Sequence, residues 1–511
     1  IGPCCFCKTF SIDSIFLLLG FMALARIRSV EQLRYQAPGE WGKVLGLDRI
    51  PEVRTLRAKL KLLCGDLGQA MKWNSDLAKE WIAQQQDSEL YFYCDGHVRV
   101  YHGDQTKLPR HYVARERLCL RATTDYWINA MDGQPFLYVN KEVDPGLIAA
   151  LEHDVIPWLE ASAPKSTAVE RRLEADPRAH WFTMVFDREG YSPELFQRLF
   201  QKRIAALTYN KFPKDDWRPE EFSPHSIQLV SSETVTMKLA ERGTRLSNNL
   251  WVREIRCLTE SGHQTSILTT NFLSLMTALA VSLFARWCQE NFFRYMREHY
   301  GLDSLAEYGT EAIPDAISVV NPQWRTLDSQ VRAKTGQRHR LHARFGAMTL
   351  SEDPAESELQ AFLQHKRQLQ EQIQHFDADI DQLKQQRKQT SHHIPVQSLP
   401  EQDRFTRLRT ERKHFVDTIK MIAYRAETSL ASLLRQHITR SDDARALLRQ
   451  IFHNEVDLIP DSTGNTLTVR LHHLTQAAHD QAVSKLCATL NETKTVFPGT
   501  NLTLVFKTGS S

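Results

Sequence analysis

At 511 residues, with 42% apolar and 24% charged side chains, the chain exceeds one comfortable core. It reads as about two to four globular domains, neither disordered nor membrane-embedded. Its 64 Lys and Arg against 61 Asp and Glu leave a formal charge of +3, so any nucleic-acid surface has to be a local patch. The nine cysteines, at positions 4, 5, 7, 64, 94, 119, 257, 288 and 487, follow no regular spacing. That excludes a disulfide framework and suits a reducing cytosol. The cluster Cys4, Cys5 and Cys7 lacks the second ligand pair that a zinc site requires.

The chain begins at Ile1 and not at Met, so its natural start is expected upstream or its frame truncated, and the first dozen residues carry no reading. The apolar run Ile15–Ala25 is 11 residues long. A bilayer span needs about twenty, and Arg26-Ile27-Arg28 follows where a signal peptide would be cleaved, so a buried helix is expected. Residues 14 to 85 keep helical spacing, broken at Pro38-Gly39 and Pro51. They carry Arg26, Arg28, Arg34, Lys43, Arg49, Arg54, Arg57, Lys59 and Lys61, which serve either a DNA-binding module or an ordinary basic helical surface.

Leu90-Tyr91-Phe92-Tyr93-Cys94 has the unbroken apolar texture of a strand buried on both faces, ending at Asp95-Gly96. Val98–Tyr101 is expected to fold back on it as a hairpin. Strands follow at 118–127 and 136–139, and a helix at 145–159. The strand texture recurs at Trp181–Phe186 and stops at Asp187; a helix at 193–203 and a strand at 204–209 come next. Residues 211–270 turn to short strands (226–230, 234–239, 250–258), a β-rich insertion. One long helix is expected from Phe272 to Tyr300, closed by Gly301.

Between Trp324 and Arg344 lie Arg325, Arg332, Lys334, Arg338, Arg340 and Arg344 against the single acid Asp328, suiting either a DNA backbone or a solvated helix face. Two heptad-like runs, from Leu359 to Leu383 and from Phe405 to Ile422, flank a loop bearing His392, His393 and Pro395. They are expected to form an antiparallel helical hairpin or two helices packed on the body. Residues 440–511 read as a helix and short strands without an assigned role.

Three acids stand out by position. Asp95 and Asp187 close apolar strands, at the sheet edge where open α/β sheets place ligands. Glu290 lies mid-helix in Leu283-Phe284-Ala285-Arg286-Trp287-Cys288-Gln289-Glu290-Asn291-Phe292-Phe293. A carboxylate so surrounded needs a partner or a metal if buried. Three carboxylates can hold two Mg²⁺ ions about 3.5–4 Å apart for phosphoryl chemistry. The plain alternative is that aspartates close strands simply to start turns or cap helices. Arg286, Glu290, Arg294 and Arg297 share one broad helix face, as either a salt-bridge surface or a phosphate grip. His97 and His102, close to Asp95 in sequence, reach the same site or face solvent.

On these residues the chain resembles insertion-sequence DDE transposases, whose ribonuclease H-like core is interrupted by a β-rich insertion. Their signature around the glutamate is Tyr, two residues, Arg, three residues, Glu, six residues, Lys. Arg286 and Glu290 match it, Arg297 stands at the lysine position and Leu283 at the tyrosine. The departures touch phosphate contacts more than the acids. The likeness extends to Tyr93-Cys94-Asp95-Gly96-His97 and Val185-Phe186-Asp187-Arg188-Glu189-Gly190, and covers roughly residues 20–350 and much of the helical tail.

The resemblance implies a mixed α/β ribonuclease H-like sheet with a β-rich insertion, an α-helical N-terminal region and a C-terminal helical hairpin. The expected boundaries are 1–85, 86–350 with the insertion at about 211–270, 351–437, and 438–511. It implies a transposase that cleaves strands at element ends and transfers them into target DNA. Asp95, Asp187 and Glu290 would be catalytic and would bind two Mg²⁺ ions, with Mn²⁺ able to substitute. Arg286, Arg294, Arg297, Arg325, Arg332, Lys334, Arg338 and Arg340 would contact DNA. The implied partners are double-stranded terminal inverted repeats and target DNA, bound by a homodimer, with no membrane and a cytoplasmic, nucleoid-associated location. Two alternatives stand beside it: an inactive or domesticated DNA-binding derivative, and a nuclease of the same core fold.

Overall fold

Phe92, Cys94, Met184 and Phe186 point to one face of a sheet and Tyr93 and Val185 to the other, all of them buried. This two-sided burial is why both apolar runs form adjacent parallel strands. The computed structural model describes the chain except residues 1–9, 86–88, 104, 105, 107, 142, 229–233, 305, 308, 314–316, 351–353, 402, 403, 405, 510 and 511. The cysteines at 4, 5 and 7, the strand residues 229 and 230, and the helix residue 405 fall outside it.

The strands of the main sheet are β1 (Leu90–Val100), β2 (Arg110–Val113), β3 (Leu118–Asn129), β4 (Pro135–Lys141), β5 (Phe182–Phe186), β6 (Ala205–Tyr209), β7 (Ser223–Gln228), β8 (Thr234–Arg245), β9 (Trp251–Leu258) and β10 (Gln264–Thr269). Their order is β2-β3-β1-β5-β6-β10-β9-β8-β7, with β4 also paired to β3. β1, β5 and β6 run parallel, while β3 and β4 are antiparallel neighbours on one side. The β-rich insertion prolongs the same sheet beyond β6 through antiparallel pairs.

Two expectations are corrected here. Asp95-Gly96 is no turn: β1 continues to Val100, because β3 pairs with it from Tyr93 to Val100 and His97 and Arg99 keep the alternating burial going. The long helix is also broken, into Met276–Phe284 and Arg286–Tyr300, with Ala285 between them; nothing in the local sequence marks the break.

One face of the sheet is covered by the helical stretch from Leu147 to Ser162 and the helix Pro193–Gln201, the other by Met276–Phe284. The helix Ile12–Leu24 buries Ile15, Leu18, Leu19 and Met22. No helix among the described residues is long and apolar enough to cross a membrane.

The described chain forms two compact units: residues 1–102, 110–309 and 408–511, and residues 103–109 with 310–407. In the second, the helices Pro322–Ala347 and Glu356–Gln389 lie antiparallel, tied by Lys334–Asp379, Arg338–Asp377 at 2.7 Å and Arg387–Asp328. The expected hairpin is therefore differently paired. The helix Glu411–Arg435 belongs to the first unit, where Phe415 and Ile419 pack among the N-terminal helices and Ala431 and Leu434 among the C-terminal ones. Its charged residues explain the choice, since Glu411, Lys413, Asp417, Lys420 and Glu427 are all buried and hydrogen-bonded or paired there. Beyond it, Val456–Asp461, Thr466–Leu471 and Thr503–Thr508 form a small sheet with the helix Ala477–Glu492.

Candidate active site

Register brings the first two acids together. Cys94 pairs with Phe186 in the parallel ladder, so the next residues, Asp95 and Asp187, are neighbours one strand apart, about 4.8 Å in the pairing direction. Both share the parity of Tyr93 and Val185, the face on which the helix Met276–Phe284 packs. Asp187 also starts a short 3₁₀ turn, its Oδ1 accepting the Arg188 N–H at 2.6 Å, which is the plain turn-starting role.

Glu290 arrives from the helix Arg286–Tyr300, and Arg286 is the bridge. Its Nη2 donates to Glu290 Oε1 at 2.5 Å and its Nη1 to Asp95 Oδ2 at 3.4 Å, with the Tyr209 ring of β6 5.9 Å below. The carboxylates of Asp95 and Glu290 keep 23% and 38% of their surface exposed, so the cluster opens to solvent. Burial pushes the Asp95 carboxyl up; Arg286 opposes this, but Asp187 and Glu290 add repulsion, and its pKa reaches about 7. Asp95 therefore feels both other acids, and the Arg286 guanidinium feels all three. Among the described residues no three His, Cys, Asp or Glu side chains are gathered closely enough to hold a metal as they stand. The donor chemistry nevertheless suits a hard divalent cation, being all carboxylate and carrying surplus negative charge.

The glutamate helix is fixed by groups the sequence analysis missed. Gln289, 1% exposed, donates to Trp127 O, Asn129 Oδ1 and, more weakly, Tyr93 O. The far end is held by Glu427, fully buried, which accepts from Arg26 at 2.8 Å and from the hydroxyls of Tyr295 and Tyr300. Lys413 and Lys420 donate to the carbonyls of Leu302 and Gly301, at 2.6 and 3.1 Å, just past the helix end where cations are favoured. The glutamine beside the glutamate was the available signal.

His97 is buried, stacked on Phe293 at 5.1 Å and hydrogen-bonded to Asp303 at 2.6 Å, while His102 is exposed. Of the residues expected on DNA, Arg294 is exposed and Arg297 lies in the field of Asp303. In the second unit Arg325 and Arg340 are exposed, and Arg332 is exposed while pairing with Asp328 at 2.9 Å. Lys334 and Arg338 are the ones engaged across the two helices. Arg26, expected on a basic surface, points inward to Glu427.

No curated protein sequence matches the chain. A family model described as "Transposase protein" matches residues 4–510, nearly the full length, and the chain belongs to that transposase family.

Proposed function

We propose that the protein is a DDE-type transposase with a ribonuclease H-like core, using Asp95, Asp187 and Glu290 to cleave and join DNA. The observation that carries this reading is the strand order β4-β3-β1-β5-β6. It brings Asp95 on β1 beside Asp187, the residue after β5, on the face where Arg286 links Asp95 to Glu290.

In this reading the three carboxylates hold Mg²⁺, which when bound supplies activation of the attacking water or 3′-hydroxyl and neutralises the leaving oxygen. The protein's part is positioning. β1 and β5 fix the spacing of the aspartates, and Gln289 with Glu427 fixes the helix that delivers Glu290. Exposed Arg294, Arg325, Arg332 and Arg340 would follow the DNA backbone.

The test is cleavage and joining of duplexes carrying the element's ends, with Mg²⁺, by the wild type and by Asp95→Asn, Asp187→Asn and Glu290→Gln. Each variant is expected to lose cleavage and keep DNA binding. Cleavage surviving in any one removes that residue from the metal set. Ends released without a covalently joined product would make the protein a nuclease of the same core, and binding without cutting by the wild type would make it a DNA-binding derivative.

A further inference from the structure

Arg286 occupies the place that the proposed chemistry needs for a metal. Its side chain is only 14% exposed and its two terminal nitrogens reach Asp95 and Glu290. Asp187 also lies within its electrostatic reach. The fit is incomplete, because its Nε is buried with no acceptor. Arg286 is also the first residue of its helix, so its own position does not depend on the ion pairs alone.

A divalent cation entering among these carboxylates competes with the guanidinium for the same oxygens. A guanidinium set free there meets the one other group whose oxygens match its fork, a phosphate.

We infer that Arg286 is an exchangeable counter-ion, which neutralises Asp95 and Glu290 in the metal-free protein and passes to a DNA phosphate when a divalent cation takes its place. This rests on the metal-binding reading of the three acids given above. It makes metal and DNA binding mutually reinforcing, since whatever draws Arg286 off the acids opens them to the metal, and the reverse.

Calorimetric titration of the full chain with Mn²⁺, without DNA, decides the first half. Arg286→Gln and Arg286→Ala, both verified as folded by circular dichroism, are expected to bind Mn²⁺ about tenfold more tightly than the wild type. Equal or weaker binding by the variants overturns the inference and makes Arg286 a fixed scaffold of the site. Absence of Mn²⁺ binding in all three proteins overturns the metal-site reading itself, a distinct result.

The second half is read from duplex binding by fluorescence anisotropy across a salt series, with and without Ca²⁺. Addition of Ca²⁺ is expected to steepen the wild-type salt dependence by about one counter-ion, and not that of Arg286→Gln. An equal change in both proteins overturns the transfer to phosphate.

Discussion

Gln289, the residue before Glu290, donates its side-chain amide to the carbonyl of Trp127 at 3.1 Å, and Trp127 is the cross-strand partner of Asp95. One buried amide thus ties the delivery of the glutamate to the strand that carries the first aspartate. Replacement by leucine leaves the Trp127 carbonyl and Asn129 without this donor. Gln289→Leu is expected to cost about 1–3 kcal/mol of stability and to lower the cleavage rate while leaving duplex affinity unchanged. Denaturant melts and single-turnover cleavage check it; an unchanged rate would mean that the helix is positioned by other contacts.

Glu427 is the anchor at the other end. Removing its charge leaves Arg26 and Arg445 buried beside an uncharged group, with the nearer Arg445 nitrogen 3.6 Å away. Glu427→Gln is expected to destabilise the first unit by about 3–5 kcal/mol. Glu290→Gln, on the open side of the helix Arg286–Tyr300 that Glu427 anchors, should cost far less. Equal losses in urea melts would refute the anchoring role.

Acid stability has a traceable source in Glu89. Burial works against its carboxylate, but hydrogen bonds from His180, Ser274 and Tyr91 outweigh this and hold its pKa at about 2. Because the folded value lies below the unfolded one, near 4.5, the stabilisation is complete above about pH 4.5 and is lost as pH falls towards 2. Glu89→Gln is expected to flatten the fall of the melting temperature across that window. A melting curve as steep as that of the wild type would assign the acid sensitivity elsewhere.

The second unit separates two kinds of basic residue. Arg325→Ala and Arg340→Ala should each reduce the salt slope of DNA binding by about one. Lys334→Ala and Arg338→Ala should leave the slope intact and loosen the helix pair, because their charges face Asp379 and Asp377. Binding curves at several salt concentrations, with hydrogen exchange on the two helices, distinguish the outcomes.

Much of the site was legible because strand texture is a local property. The runs before Asp95 and Asp187 are apolar at every position but Thr183, as a strand buried on both faces requires, so the two strands that pair in parallel just before the acids could be named from sequence. The extension of β1 past Gly96 was not legible, since its cause is a distant partner: β3 supplies the pairing. The helix pairing failed for a related reason. Heptad spacing gives an apolar stripe without naming what covers it, and the run after Phe405 found its cover in Ile12–Leu24 and Gln69–Ala83. Lys334 and Arg338 read as DNA contacts because their acidic partners lie about forty residues away in sequence. The Glu427 cluster gathers Arg26, Tyr295, Tyr300 and Arg445 from three distant segments, and no periodicity announces such a meeting.

The first unit is discontinuous, and the larger part of the second, residues 310–407, is inserted between its segments. The three segments that carry the acids are therefore made long before Lys413, Lys420 and Glu427, the groups that secure the glutamate helix from behind. During synthesis the three candidate acids leave the ribosome before the groups that brace the glutamate helix. A gene copy truncated between the codons for Glu290 and Lys413 encodes all three candidate acids without that brace. Such a fragment keeps the candidate carboxylates and loses the side chains that hold the glutamate helix from behind.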